Sequence, residues 1–102
     1  MVEVIWSEPA LADLDAIADY IALDNLSAAQ QLVRRIFEHV DQLEAHPDSG
    51  SKPAEFSDWR YRQIIEPPCR VLYRQDVAQR RVSMLHVMRS EQKLRGSNWV
   101  RD

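Results

Sequence analysis

With 102 residues, 45% of them apolar, only two glycines and one cysteine, the chain has the length and composition of one globular domain around one hydrophobic core. A lone Cys69 excludes an internal disulfide, and the start Met1-Val2-Glu3-Val4-Ile5-Trp6 lacks the basic and long apolar segments of a secretion signal. No apolar run reaches the roughly 18 residues that cross a bilayer, so the expected compartment is cytoplasmic, without membrane attachment. The net charge of −3 hides a split: residues 1–59 carry 12 acidic and 3 basic side chains, residues 60–102 carry 4 acidic and 10 basic. One part of the molecule therefore attracts cations and another attracts anionic partners.

The alternating Val2-Glu3-Val4-Ile5-Trp6 predicts a short strand. Ser7-Glu8-Pro9 ends it and opens a helix, because proline in a first turn gives up an N–H that has no partner there anyway. Leu11, Leu14, Ile17, Ala18 and Ile21 follow at helical spacing, with Asp13, Asp15, Asp19 and Asp24 on the remaining faces. This helix is expected to stop near Asp24-Asn25. Ser27-Ala28-Ala29-Gln30 has the spacing of a capping box and predicts the start of a second helix. Its apolar face is Ala29, Leu32, Val33, Ile36, Phe37, Val40 and Leu43, and Pro47 forbids continuation. Two antiparallel helices joined by about two residues make a helical hairpin.

Residues 47–58, rich in Pro, Ser, Gly and Asp, read as a surface loop. Three strand-like runs follow at 59–65, 70–75 and 81–89, with separations that suit hairpins, so they predict an antiparallel meander. Arg60 and Arg62 share a face of the first run with Ile64, and Arg70 and Arg74 share a face of the second with Leu72. In the third, Val82, Met84, His86 and Met88 oppose Arg81, Ser83, Leu85, Val87 and Arg89; either set can face the helices, because both are largely apolar. The expected fold is α+β, in the order β-α-α-β-β-β, with the hairpin on one face of a small, mainly antiparallel sheet and arginines on the other. The whole chain reads as this one domain, 1–102, with residues 90–102 a basic C-terminal tail.

Glycine-rich phosphate loops, cysteine pairs and His-x-x-x-His are all absent, and no spacing marks an activated serine or cysteine. No cofactor and no metal is expected, and no catalytic residue is marked. His39 and His46 stand seven apart on the second helix, but two imidazoles alone do not close a metal site. Cys69 reads as an exposed or half-buried thiol beside Arg70, a neighbour that favours a thiolate. The arginines are the remaining signal. Arg60, Arg62, Arg70, Arg74, Arg81 and Arg89 fall on three consecutive strands, where they can form one cluster that grips phosphate or carboxylate bidentately. Lys93, Arg95 and Trp99 in the tail extend this candidate target-binding set. His86 is either a core histidine among Met84, Val87 and Met88 or a general acid–base.

Several segments, taken in order, resemble the ParE/RelE toxin superfamily, and its ParE branch in particular. They are Trp6-Ser7-Glu8-Pro9-Ala10-Leu11-Ala12-Asp13-Leu14, Ile17-Ala18-Asp19-Tyr20-Ile21-Ala22, and Ala28-Ala29 through Leu32-Val33-Arg34-Arg35-Ile36. Leu43, His46-Pro47-Asp48-Ser49-Gly50, Arg62, Arg70-Val71-Leu72-Tyr73-Arg74 and Val82-Ser83-Met84-Leu85-His86-Val87 continue it. The resemblance covers residues 4–89. It implies a toxin paired with an antitoxin whose C-terminal helix and extended segment wrap and silence it in a toxin-antitoxin hetero-oligomer. ParE-like members stabilise the cleaved-DNA state of DNA gyrase, whereas RelE-like members cut messenger RNA on the ribosome. RelE-like enzymes place a tyrosine or a His-Tyr pair near the end of the last strand; here that region reads Val87-Met88-Arg89-Ser90-Glu91-Gln92. ParE-like members often have a histidine near the position of Arg89, and this sequence departs from that pattern. The resemblance thus implies a non-catalytic gyrase poison, the alternative being a ribosome-dependent ribonuclease that uses His86, Arg62, Arg74 and Arg89.

Overall fold

Ser7 turns the chain from strand into helix in the computed structural model, which describes residues 1–92. Strand β1 is Glu3–Trp6, and helix α1, Glu8–Ala22, starts when the Ser7 hydroxyl accepts from the Ala10 amide at 3.1 Å. Helix α2, Leu26–Asp41, is capped by Asn25, whose Oδ1 accepts from the Ala28 amide at 3.0 Å. The cap lies two residues earlier than the capping-box spacing predicts; Ser27 falls inside the helix and accepts from the Gln31 side chain instead. Ala29, Leu32, Ile36 and Val40 are buried at the expected three- and four-residue steps, and Leu43 follows in a short 3-10 turn, Gln42–Glu44. Two positions assigned to the core from periodicity differ. Leu11 is 40% and Phe37 36% exposed, while Ala10 is buried in place of Leu11 and Phe37 leans on Trp6, ring centroids 4.9 Å apart.

Strands β2 (Tyr61–Glu66), β3 (Cys69–Asp76) and β4 (Arg81–Arg89) form the antiparallel meander, and β1 joins β4 in parallel, giving the order β1-β4-β3-β2. Two helices on a four-stranded mixed sheet make this an α+β fold. A register shift between Leu72 and Tyr73 resolves which parity of β4 faces inward. Leu72 stands opposite His86 and Tyr73 opposite Met84, so Leu85 is an extra residue. Alternation restarts there, and Val82 and Met84 of one set, then Val87 of the other, all join the core with Leu14, Leu32, Ile36, Ile64 and Val71.

Leu72 and Tyr61 are also buried, at 1% and 3% exposed, but lie outside that core cluster. Cross-strand partners share a face, and the pairs Tyr61–Arg74, Gln63–Leu72 and Ile65–Arg70 are on the face turned away from the helices. The segment expected to be a surface loop covers part of this face. Pro53 is buried, Phe56 meets the Tyr61 ring at 5.3 Å, and Ser51 forms an antiparallel bridge to Gln63 on the outer edge of β2.

The other exposed edge belongs to β4 beyond Met84, where β1 has ended. Side chains from the start of α1 occupy it: the Ser7 hydroxyl donates to the Leu85 carbonyl at 3.3 Å, and an Asp13 carboxylate oxygen accepts from the Val87 amide at 3.1 Å. Among the described residues no helix is long and apolar enough to cross a membrane.

Candidate functional site

Tyr73 organises the loop that leads into the sheet. Its ring is in the core, and its hydroxyl donates to the Pro47 carbonyl at 2.8 Å and accepts from the Gly50 amide at 3.1 Å. Gln75 adds bonds to the Pro47 carbonyl at 3.2 Å and to Asp48 Oδ1 at 2.9 Å. Only glycine fits at position 50, because a Cβ would stand 2.6 Å from the Gln63 carbonyl oxygen and from the Tyr73 hydroxyl. Burial pushes the Tyr73 phenol above its usual value, against the lowering effect of the Gly50 hydrogen bond and of the Arg62 charge. The segment His46-Pro47-Asp48-Ser49-Gly50, singled out in the sequence as a motif, therefore does structural work.

The six strand arginines do not share one sheet surface. Arg62 stands opposite Tyr73 on the helix-facing side, where its Nη1 donates to the Gly50 carbonyl at 2.8 Å. Arg70 and Arg74 stand on the opposite side, against Ile65 and Tyr61. Arg60 precedes β2 and forks onto Asp58, with Nη2 2.7 Å from Oδ2, and holds the Asp58 carboxyl below its usual range. Arg70 is 7% exposed and binds Glu55 with both terminal nitrogens, at 3.1 and 2.6 Å. Arg81 lies beside Glu3 at 3.3 Å, at the β1 margin of the sheet. Arg89 is the most open, 3.3 Å from Glu91 and 6.0 Å from the centre of the Tyr20 ring. Strand alternation plus the extra residue at Leu85 distributes these charges over two faces and the rim. Lys93, Arg95 and Trp99 lie outside the described residues.

Two histidines are engaged by carboxylates. His86 Nδ1 is 3.0 Å from Asp13 Oδ2, the oxygen that also accepts from the Val87 amide. His86 is thus a partly buried edge residue paired across 73 positions of sequence, not a core histidine. His39 Nδ1 is 3.0 Å from Glu66 Oε2, and Arg35 Nε holds the other oxygen of Glu66 at 3.0 Å. Cys69 is not the exposed or half-buried thiol expected in a turn: it is the first residue of β3 and fully buried, and burial raises its thiol pKa, which disfavours a thiolate. Its Arg70 neighbour points to the other face, and the residue opposite Cys69 on β4 is Arg89.

Beside Arg89 lies a cleft of about 230 Å³ between α1 and the β2–β3 turn, lined by Ile17, Tyr20, Ile21, Pro68 and Arg89. Tyr20, 67% exposed, and Leu23, 87% exposed, extend the apolar surface toward the helix–helix junction at Leu26. An aromatic, several aliphatics and one guanidinium in a concave site suit an apolar side chain followed by a carboxylate. Sequence reasoning missed Asp13, Glu55 and Tyr73 as partners in these networks. Gly50, the only glycine before position 96, was the one local sign that the loop is closely fitted.

Comparison with known proteins agrees with this architecture. The family model for the ParE toxin of the parDE type II toxin-antitoxin system matches residues 4–94. The "Putative toxin Y4kP" of Sinorhizobium fredii is 35% identical over 88 residues, covering 86% of this chain and 88% of that protein. "Toxin RelE2" of Caulobacter vibrioides is 42% identical over 50 residues, 49% of this chain; the match spans 57% of that relative's length. Among solved structures, a chain of the chromosomal ParDE system from P. aeruginosa superposes with a TM-score of 0.71 at 26% identity, covering 89% of this chain and 98% of that one. The RelBE2 toxin-antitoxin complex from Mycobacterium tuberculosis shares the fold, with a TM-score of 0.56 at 21% identity over 89% of this chain and 93% of that one. The chain belongs to the ParE toxin family of type II toxin-antitoxin systems.

Proposed function

We propose that this toxin acts in the cytoplasm on DNA gyrase, binding it without covalent chemistry and stabilising its cleaved-DNA complex, and that a cognate antitoxin silences it. The observation that carries this reading is the match to the ParE family over residues 4–94, supported by the P. aeruginosa ParDE neighbour, of which 98% is covered. The engaged arginines support it too. Arg62 is bound to a loop carbonyl and Arg70 to Glu55, so neither is poised to grip an RNA phosphate. The antitoxin helix would lie in the cleft beside Tyr20 and Ile21, with an acidic residue against Arg89. Purified protein is expected to block supercoiling by gyrase and to raise the yield of cleaved DNA. Unaltered supercoiling at saturating protein would sink the proposal.

A ribosome-dependent ribonuclease is the second reading, and the His86–Asp13 pair favours it, because a carboxylate that orients an imidazole is how a general base is held. On that reading Arg74 and Arg89 bind phosphate, and Arg62 joins them only by giving up its bond to the Gly50 carbonyl. His86→Gln should then abolish cleavage of ribosome-bound message; cleavage that persists removes His86 from the mechanism.

A further inference from the structure

Among the described residues Arg70 is the only buried cation, and its hydrogens are almost fully assigned. Nη1 donates to Glu55 Oε1 at 3.1 Å and to Gln63 Oε1 at 2.9 Å. Nη2 donates to Glu55 Oε2 at 2.6 Å and to the Gln92 carbonyl. A guanidinium has five N–H donors; these bonds use four, and the fifth, on Nε, is buried without a partner. No donor is left to face a target. The acceptors come from three separate stretches of chain: the loop of residues 47–58, β2, and the segment that follows β4.

We infer that Arg70 is a positioning residue, which clamps the loop and the root of the C-terminal segment against the outer face of the sheet and does not itself contact the target. This deepens the proposed function and rests on it for the inhibition measured, though not for the clamp. The physical reason is that a buried guanidinium is tolerated only with its carboxylate and carbonyl partners in place. A phosphate or carboxylate from outside would have to displace Glu55 to reach it.

Glu55→Gln separates clamp from contact. If Arg70 touched the target, removing the Glu55 charge would free its guanidinium, and inhibition would stay equal or strengthen. If it positions, both Glu55→Gln and Arg70→Lys raise the half-inhibitory concentration of folded protein against gyrase at least tenfold, and the double variant is no weaker than Arg70→Lys alone. Amide hydrogen exchange over residues 54–58, measured on the same samples, should accelerate at least tenfold in both variants whatever the target is. Unchanged exchange in Glu55→Gln overturns the clamp, and accelerated exchange with wild-type inhibition overturns the positioning role. Should the wild type leave gyrase untouched, the gyrase reading fails alone, and growth arrest on expression replaces supercoiling as the measure of inhibition, with the same two outcomes for Glu55→Gln.

Discussion

The two faces of the sheet are covered by different means. Toward the helices it presents Ile64, Val71, Val82, Met84 and Val87 against Leu14, Leu32 and Ile36, a layer held by apolar burial. On the other face a loop rich in turn residues is held by directed contacts, with Arg70 on Glu55 and Phe56 on Tyr61, while Tyr73 reaches the loop from the helix side through its hydroxyl. Burial is tolerant of composition and sets how stable the fold is; directed bonds are intolerant of it and set where the loop sits. The arginine-bearing half of the chain is therefore as much internal framework as outward surface.

Substitutions on the two faces should differ in size and in reach. Ile36→Ala, at a fully buried position on the helical side, is expected to cost about 4 kcal/mol in a urea titration. A cost under about 1 kcal/mol would mean that the helix layer is not what holds the sheet. Gly50→Ala places a Cβ 2.6 Å from the Gln63 backbone oxygen, so the loop must move; about 3 kcal/mol is expected, with amide shifts concentrated in residues 47–53 in NMR spectra. Shifts spread evenly over α1 and α2 would contradict a local fit.

Tyr73→Phe keeps the core ring and removes the hydroxyl, leaving the Gly50 amide and Pro47 carbonyl without that partner, for about 2 kcal/mol. It also changes the response to alkali. The folded-state phenol pKa lies above the unfolded value of about 10, so its stabilisation is complete below about pH 10 and is lost as pH rises through the folded value. Chemical denaturation from pH 9 to 12 should therefore show a steeper loss for the wild type than for Tyr73→Phe. Part of the alkaline slope remains in the variant, since the raised thiol pKa of Cys69 acts in the same direction from a lower starting point. Smallest of all, Asn25→Ala removes the cap of α2 and should cost about 1 kcal/mol, whereas Ser27→Ala, two residues inside the helix, should cost little. Equal costs would restore Ser27 as the cap.

Elements with their own periodicity were legible in the sequence: the helical hairpin, the loop and the three meander strands stand close to where hydrophobic spacing puts them. The parity of β4 was not, because the extra residue at Leu85 is a property of its pairing with β3 and leaves no local mark among apolar neighbours. For the same reason the arginines looked like one cluster. Counting by twos along each strand keeps Arg70 and Arg74 together but cannot say that Arg62, one strand away, faces the helices. Asp13 read as one more exposed acidic residue of an amphipathic helix, yet it serves an edge amide 74 residues away. Such assignments depend on which segments meet, and a single sequence does not carry that directly.

The parallel pairing of β1 with β4 has a consequence in time. Glu3 meets Arg81 and Trp6 meets Met84, so β1 waits for β4 before it has a place in the sheet. Ser7 and Asp13 likewise find their edge partners only when Leu85 and Val87 have emerged. Parallel strand pairing over that span is slow relative to helix formation, so the hairpin can form before β4 arrives to cover its apolar stripe. The sheet of this toxin fold therefore closes on its β1 side only once β4 is available to receive it.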